Sequence, residues 1–304
     1  MKILIADDDR ISRRKLAGML KKWGYEVSSS ADGNEAWLAM QESDAPQVLI
    51  LDWMMPGMDG LEVCRKVRSL NREPYVYILL LTSRNEKEDI VRGMEAGADD
   101  YITKPYYPHE LEVRLRAGRR IVELNIALLE ARNALHLQAT HDSLTGLLNR
   151  AAALEELSRE IQRSKRQDEN FCAAIMDIDH FKEVNDTYGH ITGDEVLRGT
   201  ATRLLGTLRP YDILGRYGGE EFLIIMSGCE GGNVLQRYER LRAALAEKPF
   251  ATSKGNISIT ASFGIGIVMS GTKTETDTLI AAADQALYAA KKKGRNRVEI
   301  QIIE

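Results

Sequence analysis

The sequence has no long hydrophobic run. Nothing in its 304 residues approaches the roughly 20 consecutive apolar residues that a membrane-spanning helix needs. The apolar start, Met1 to Ala6, meets Asp7, Asp8 and Asp9 at once and is too short for the core of a secretory signal. A soluble, cytoplasmic protein is expected. Cysteine is scarce. Cys64, Cys172 and Cys229 lack metal-ligand spacing and sit within or beside apolar runs, so they are expected to be reduced and buried. An excess of one charge sign is missing too: 41 Lys and Arg stand against 45 Asp and Glu, a net charge of −4. That balance excludes a nucleic-acid footprint and a polybasic membrane patch. Without a GxxxxGK[ST] segment, P-loop nucleotide hydrolysis has no support.

What is present divides the chain into about two domains. From Lys2 to about Ala117 short apolar strands alternate with helical patterns. Lys2–Ala6, Glu26–Ser29, Gln47–Leu51, Val76–Leu81 and Asp99–Ile102 read as strands, with helices such as Ile11–Trp23 and Leu61–Leu70 between them. Alternation of this kind predicts a doubly wound parallel five-stranded α/β sheet, whose ligands gather at the carboxyl ends of the strands. Asp7 and Asp8, Asp52, Thr82 and Lys104 fall at those ends. Three carboxylates brought together repel one another unless a hard cation such as Mg²⁺ lies among them, and a lysine with a hydroxyl suits a phosphoryl group.

Together with Asp52-Trp53-Met54-Met55-Pro56-Gly57 and Thr103-Lys104-Pro105, this pattern resembles the receiver domain of bacterial response regulators. The resemblance implies that Asp52 is the phosphoacceptor and that Asp8, Asp7, Asp52 and the Met54 carbonyl form the Mg²⁺ site. It further implies that Thr82 and Lys104 read the phosphoryl group, that Tyr101 is the switch aromatic, and that the partner is a sensor histidine kinase. Phosphorylation is expected to favour a receiver dimer through the faces around Glu86–Ile102 and Glu110–Ala117.

From Leu111 onward the pattern is helical, with Gly118 the one weak breaker before His141. Ile121, Leu124, Leu128, Ala131, Leu135 and Gln138 recur at alternating steps of three and four, a heptad seam that is apolar except at its last position. A single amphipathic helix packed on its own domain fits the pattern equally well. Its place between an input and an output favours a parallel coiled coil, hence a homodimer. The expected boundaries are receiver 1–117, helical coiled-coil connector 118–140 and second domain 141–304.

The second domain centres on Arg216-Tyr217-Gly218-Gly219-Glu220-Glu221-Phe222 and the apolar run after it. Paired glycines between extended segments read as a hairpin, and successive strand residues face opposite ways, so Glu220 and Glu221 have different jobs. An acidic strand end, Asp177-Ile178-Asp179, lies upstream and a basic helix end, Lys291 to Arg295, downstream. With His141-Asp142-Ser143-Leu144-Thr145-Gly146-Leu147-Leu148-Asn149-Arg150, this set resembles the GGDEF family of diguanylate cyclases, with Glu at the third signature position. Expected elements are helix Ala151–Lys165, strand Phe171–Ile178, helices across Phe181–Leu208, a hairpin of Asp212–Arg216 with Phe222–Met226, helix Val234–Glu247, strand Ile257–Val268, helix Asp277–Lys292 and a strand near Val298–Ile302. These make an α+β, palm-like domain.

The resemblance implies condensation of two GTP into cyclic di-GMP and two pyrophosphates across a homodimer. Asp177, Glu220 and the Ile178 carbonyl would hold Mg²⁺, with Mn²⁺ as a substitute; Glu220 is a metal ligand, and whether it also serves as base stays open. Asn185 and Asp194 would read the guanine edge, although Asp194 also reads as a helix N-cap. The loop His180, Phe181, Lys182, with Lys291 and Arg295, would bind the triphosphate, and Glu221 is a second carboxylate at the substrate. Asp179 is read as structural. Arg209-Pro210-Tyr211-Asp212 matches the family's RxxD product-inhibition site, with Arg240 as a further contact. The rival reading is a non-catalytic receptor for cyclic di-GMP.

Overall fold

The computed structural model describes residues 1–83, 87–167, 169–228 and 233–303. Glu86 and Cys229, named above, lie outside them. Two compact units emerge, Met1–Ala134 and Leu135–Glu304.

The first unit runs β1 (Lys2–Ala6), α1 (Arg10–Lys22), β2 (Glu26–Ser30), α2 (Gly33–Met40), β3 (Val48–Asp52), α3 (Gly60–Ser69), β4 (Tyr77–Thr82), α4 (Lys87–Glu95), β5 (Asp100–Thr103) and α5 (Pro108–Thr140), whose last residues belong to the second unit. The strands form one parallel sheet in the order β2-β1-β3-β4-β5. All of β3 and β4 is buried, as expected of central parallel strands covered on both faces. One face carries the cluster of Leu49, Leu51, Trp53 and Val63; the other carries Ile3, Ile50, Leu79 and Leu111. Asp9, Asp32 and Asp59 cap α1, α2 and α3 by accepting from backbone amides, which fixes where each helix starts.

The helix α5 begins at Pro108 and continues unbroken through Gly118. A side chain there would place its Cβ 2.4 Å from the Tyr77 ring, so this glycine is a point of close packing and not a breaker. Leu111, Leu115, Gly118 and Val122 are buried on the sheet, while the seam residues Leu124 and Leu128 are 61% and 66% exposed. Both alternatives for this helix therefore hold along its first part: one stripe packs on its own domain and a different apolar stripe faces outward.

The second unit contains α6 (Arg150–Gln167), β6 (Phe171–Ile178), α7 (Phe181–Tyr188), α8 (His190–Leu205), β7 (Ile213–Gly218), β8 (Glu221–Ser227), α9 (Asn233–Glu247), β9 (Phe250–Thr252), β10 (Gly255–Ile257), β11 (Ala261–Val268), α10 (Thr276–Lys292) and β12 (Val298–Ile303). Its main sheet has the order β12-β11-β6-β8-β7, antiparallel except for β11 with β12. The single strand expected over 257–268 is two. β10 pairs with β9 in a separate hairpin, and β11 begins only after Thr260, whose hydroxyl and carbonyl are both taken by Asp179. α10 lies directly on β11, and Gly264 makes this approach possible, since an added Cβ would sit 2.0 Å from the Leu287 amide nitrogen. The Gly264→Ala variant is expected to lose about 3 kcal/mol of stability, read as a lower urea midpoint, because backbone must move to admit the methyl group.

Candidate functional site

Two acidic constellations stand at strand ends. In the first unit Asp7 is fully buried at the end of β1, and Asp52 is buried at the end of β3. The Lys104 ammonium, in the segment after β5, donates to Asp52 Oδ2 at 2.7 Å and to Asp7 Oδ2 at 3.0 Å. Asp7 also accepts from the Ser12 hydroxyl at 2.9 Å and from the Asp9 amide at 2.9 Å. Burial pushes the Asp52 carboxyl up, with Lys104 opposing that shift and Asp7 adding to it. Burial also works against the Lys104 charge, yet its bonds to Asp52 and Asp7 hold it above the usual lysine range. Oxygens of Asp7, Asp8 and Asp52 lie within 4.8 Å of one another, a hard-oxygen set that fits Mg²⁺. Thr82 is buried at the end of β4, and its carbonyl accepts from the Lys104 amide at 2.7 Å. Tyr101 is half-buried on β5, with the Arg114 guanidinium 6.0 Å from its ring centre. Met54 is largely exposed.

In the second unit a cleft of about 450 Å³ collects Asp177 and Ile178 from the end of β6, and His180, Phe181 and Lys182 from the turn into α7. Glu220 from the hairpin turn, Lys291 from the last turn of α10 and Arg295 beyond it complete the wall. Sheet register explains the convergence. Asp177 stands opposite Glu221 across β6 and β8, and the Ile178 amide donates to the Glu220 carbonyl at 3.4 Å. The Lys291 ammonium pairs with Asp177 Oδ2 at 2.8 Å. Burial pushes the Asp177 carboxyl up against the opposing pull of Lys291, and Glu220 and Asp179 add to the rise. Burial, followed by the nearby Asp177 charge, likewise raises Glu221. Two carboxylates and a strand-end carbonyl facing a cleft walled by cations fit a divalent metal carried with a polyphosphate.

Asp179 is structural, as expected. It accepts from the Thr260 hydroxyl at 2.6 Å, the Ser262 hydroxyl at 2.7 Å and the Asn296 amide at 3.0 Å. This knot anchors the loop that carries Arg295, which itself adopts positive φ at 59°. His180 also has positive φ, at 57°, and its Nδ1 lies 2.7 Å from Glu183.

Asn185 and Asp194 do not line the cleft; they sit half-buried on the neighbouring pair α7 and α8. Gly193 makes room for Asn185, whose Oδ1 would lie 2.0 Å from a Cβ at that position. The N-cap reading of Asp194 fails. α8 starts at His190 after Gly189, so Asp194 lies inside the helix.

Sequence reasoning missed the role of Arg216. Its guanidinium donates to both carboxylate oxygens of Asp142 at 3.1 Å and to the Gly219 carbonyl at 3.0 and 2.8 Å. Asp142 also accepts from the Thr145 hydroxyl and amide, and these bonds with Arg216 outweigh burial and lower its pKa. The segment after α5 thereby pins the turn that presents Glu220. The signal was the presence of Asp142 and Arg216 in the two motifs.

The RxxD segment forms the turn before β7. The Arg209 amide donates to Asp212 Oδ2 at 2.9 Å, and its guanidinium reaches the Tyr211 hydroxyl at 2.7 Å. Arg209, Asp212 and Arg240 border one small cavity of about 80 Å³. A residue the sequence reading passed over, Arg237, joins them and pairs with Asp212 at 2.7 Å. Its position one helical turn before Arg240 was the available signal.

Cys64 and Cys172 are buried and free, and burial pushes the Cys64 thiol up to about 12. Among the described residues no helix is long and apolar enough to cross a membrane.

Comparison with known proteins agrees with this geometry. Residues 139–297 match the family described as diguanylate cyclase, GGDEF domain, and residues 3–116 match the response regulator receiver domain. The response regulator PleD of Caulobacter vibrioides is 31% identical over 303 residues, 98% of this chain and 65% of PleD. This chain thus spans just under two thirds of that relative. The diguanylate cyclase DgcP of Pseudomonas aeruginosa is 38% identical over 219 residues, covering 69% of this chain and 32% of DgcP. Among solved structures, the coiled coil and GGDEF domain of DgcB from Caulobacter crescentus, in complex with c-di-GMP, superposes with a TM-score of 0.56 at 34% identity. That similarity covers 63% of this chain and 99% of the DgcB chain. The chain belongs to the GGDEF diguanylate cyclase family, with a response-regulator receiver domain preceding its GGDEF domain.

Proposed function

We propose that this protein is a phosphorylation-activated diguanylate cyclase that condenses two GTP into cyclic di-GMP, releasing two pyrophosphates. The observation that carries this reading is the convergence of Asp177, Glu220, Lys182, Lys291 and Arg295 on one cleft. Carboxylates alone suit a metal and cations alone suit an anion; both together suit a metal–triphosphate. Asp177, Glu220 and the Ile178 carbonyl would hold Mg²⁺ or Mn²⁺, which when bound neutralises triphosphate charge and activates the attacking oxygen. Lys182, Lys291 and Arg295 bind phosphate oxygens, aided by backbone amides of the turn 180–182, and Asn185 and Asp194 read the guanine edge. Glu221 provides the second carboxylate beside Asp177.

One such site holds one GTP. Ring closure needs each 3′-oxygen to attack the α-phosphorus of the facing nucleotide as pyrophosphate leaves, so a homodimer belongs to the mechanism. The exposed seam of Ile121, Leu124, Leu128 and Leu135 supports a parallel coiled coil over 118–140, between a receiver at 1–117 and a cyclase at 141–304. Asp52 accepts phosphate from a sensor histidine kinase, with Asp7, Asp8 and the Met54 carbonyl at Mg²⁺, Thr82 and Lys104 at the phosphoryl group and Tyr101 as the switch. Cyclic di-GMP inhibits at Arg209 and Asp212, with Arg240 nearby.

The test is incubation of the purified protein with GTP and Mg²⁺, with and without beryllofluoride, followed by chromatography of the nucleotides. Cyclic di-GMP that increases with beryllofluoride supports enzyme and input together. No product at any protein concentration, after removal of bound nucleotide, favours the receptor reading. The Arg209→Ala variant is expected to need about tenfold more cyclic di-GMP for half-inhibition, the effect of one lost charge-assisted contact; an unchanged inhibition curve removes the feedback site.

A further inference from the structure

Asp212 is the acidic half of the RxxD pair, and its carboxylate is already engaged. One terminal nitrogen of Arg237, reaching from α9, bridges Oδ1 and Oδ2 at 2.7 Å each. The Arg209 backbone amide takes Oδ2 as well, at 2.9 Å. The Asp212 side chain is 1% exposed beneath this contact, and that of Arg237 is 16% exposed. The cavity bordered by Arg209, Asp212, Arg237 and Arg240 measures about 80 Å³. Small-molecule sites start at about 300 Å³. A guanine base therefore has neither the space nor the carboxylate it needs while Arg237 holds this position.

Chemistry makes the competition direct. The Watson–Crick edge of guanine offers adjacent N–H donors, and a carboxylate accepts them in its own plane. A guanidinium offers N–H donors in the same planar manner, with a full positive charge added. We propose that Arg237 acts as an internal guanine surrogate at the RxxD site and sets the concentration of cyclic di-GMP at which feedback begins. This rests on the RxxD reading above and deepens it. Binding exchanges one donor for another at Asp212: the base enters as the Arg237 side chain swings out. The apparent affinity is the intrinsic affinity multiplied by the fraction of molecules with Arg237 displaced. Arg209 and Arg240 remain to meet the phosphates. Arg237 is a specificity-setting residue in this scheme, acting on threshold and not on chemistry.

The experiment is calorimetric titration of cyclic di-GMP into the full chain, freed of bound nucleotide, for wild type, Arg237→Ala, Arg209→Ala and the double variant. Inhibition curves are measured on the same preparations. Because Arg237→Ala leaves a buried carboxylate unpaired, Arg237→Gln, which keeps a neutral donor on Asp212, is titrated beside it, and thermal melts verify folding. The expected result is binding about tenfold tighter for both Arg237 variants, a matching shift of half-inhibition to lower product, and loss of both when Arg209→Ala is added. Equal or weaker binding by folded Arg237 variants, with Arg209→Ala still abolishing it, makes Arg237 a ligand or a strut and overturns the proposal. Binding indifferent to Arg209→Ala in both backgrounds overturns the RxxD reading, and this proposal with it.

Discussion

The Glu220→Ala variant is expected to lose cyclic di-GMP synthesis by about 10³-fold or more, about 4 kcal/mol in the barrier, while it melts close to the wild-type temperature. Glu220 sits in the turn between β7 and β8, with its side chain on the cleft and its carbonyl tied to the Ile178 amide. Removing the carboxylate leaves that backbone bond and the buried strand β8 in place, so the fold has little to lose. The cleft loses one of its two acidic metal donors, and the remaining one, Asp177, is paired with Lys291. Glu220→Gln is the informative companion: it keeps shape and loses charge, and it is expected to fail equally. Product formation is read by chromatography at saturating GTP and Mg²⁺, with melts and circular dichroism as fold controls. Turnover within about tenfold of wild type in either variant would falsify the placement of the metal site.

The Asp52→Asn variant is expected to retain basal synthesis and to lose stimulation by beryllofluoride, the ratio of stimulated to basal rate falling to about one. The amide keeps the volume of a buried strand-end side chain but offers no carboxylate oxygen for a phosphoryl group or its mimic. The loss of charge also releases Lys104 from one of its two partners, since Asp7 still holds it at 3.0 Å. Initial rates with and without beryllofluoride decide the matter. Equal stimulation of both proteins would place the input elsewhere.

Much of this molecule was legible in the sequence because its elements advertise themselves through periodicity. Central strands such as Val48–Asp52 and Tyr77–Thr82 are unbroken apolar runs ended by a polar residue, and the polar residues at the ends are the site. The cleft was legible for a related reason. Asp177 and Glu220 are strand-end carboxylates, and antiparallel pairing of β6 with β8 brings such ends together. What stayed hidden depends on pairs distant in sequence that have no period. Nothing local tells that Arg216 locks onto Asp142, or that Arg237 covers Asp212. Gly118 has the local signature of a weak helix, and only the Tyr77 ring explains it. The interruption after Ile257 was invisible because Ser258, Ile259 and Thr260 alternate as a strand would; the reach of Asp179 decides otherwise.

Lys104 and Lys291 share a property that bears on how the two sites fill. Each ammonium rests on a carboxylate assigned to a cation site, at 2.7 Å on Asp52 and 2.8 Å on Asp177. Each carboxylate is thus neutralised from within, and an arriving ligand displaces a partner instead of entering a vacant charge. The net gain is the difference between two ion pairs, which is small for a bare cation, since a lysine would be left without its counter-charge. It is larger when the cation comes with a phosphate, because the displaced lysine then has a new anion to hold. The same residues that bind phosphate therefore couple the two halves of the incoming complex thermodynamically, each raising the affinity for the other.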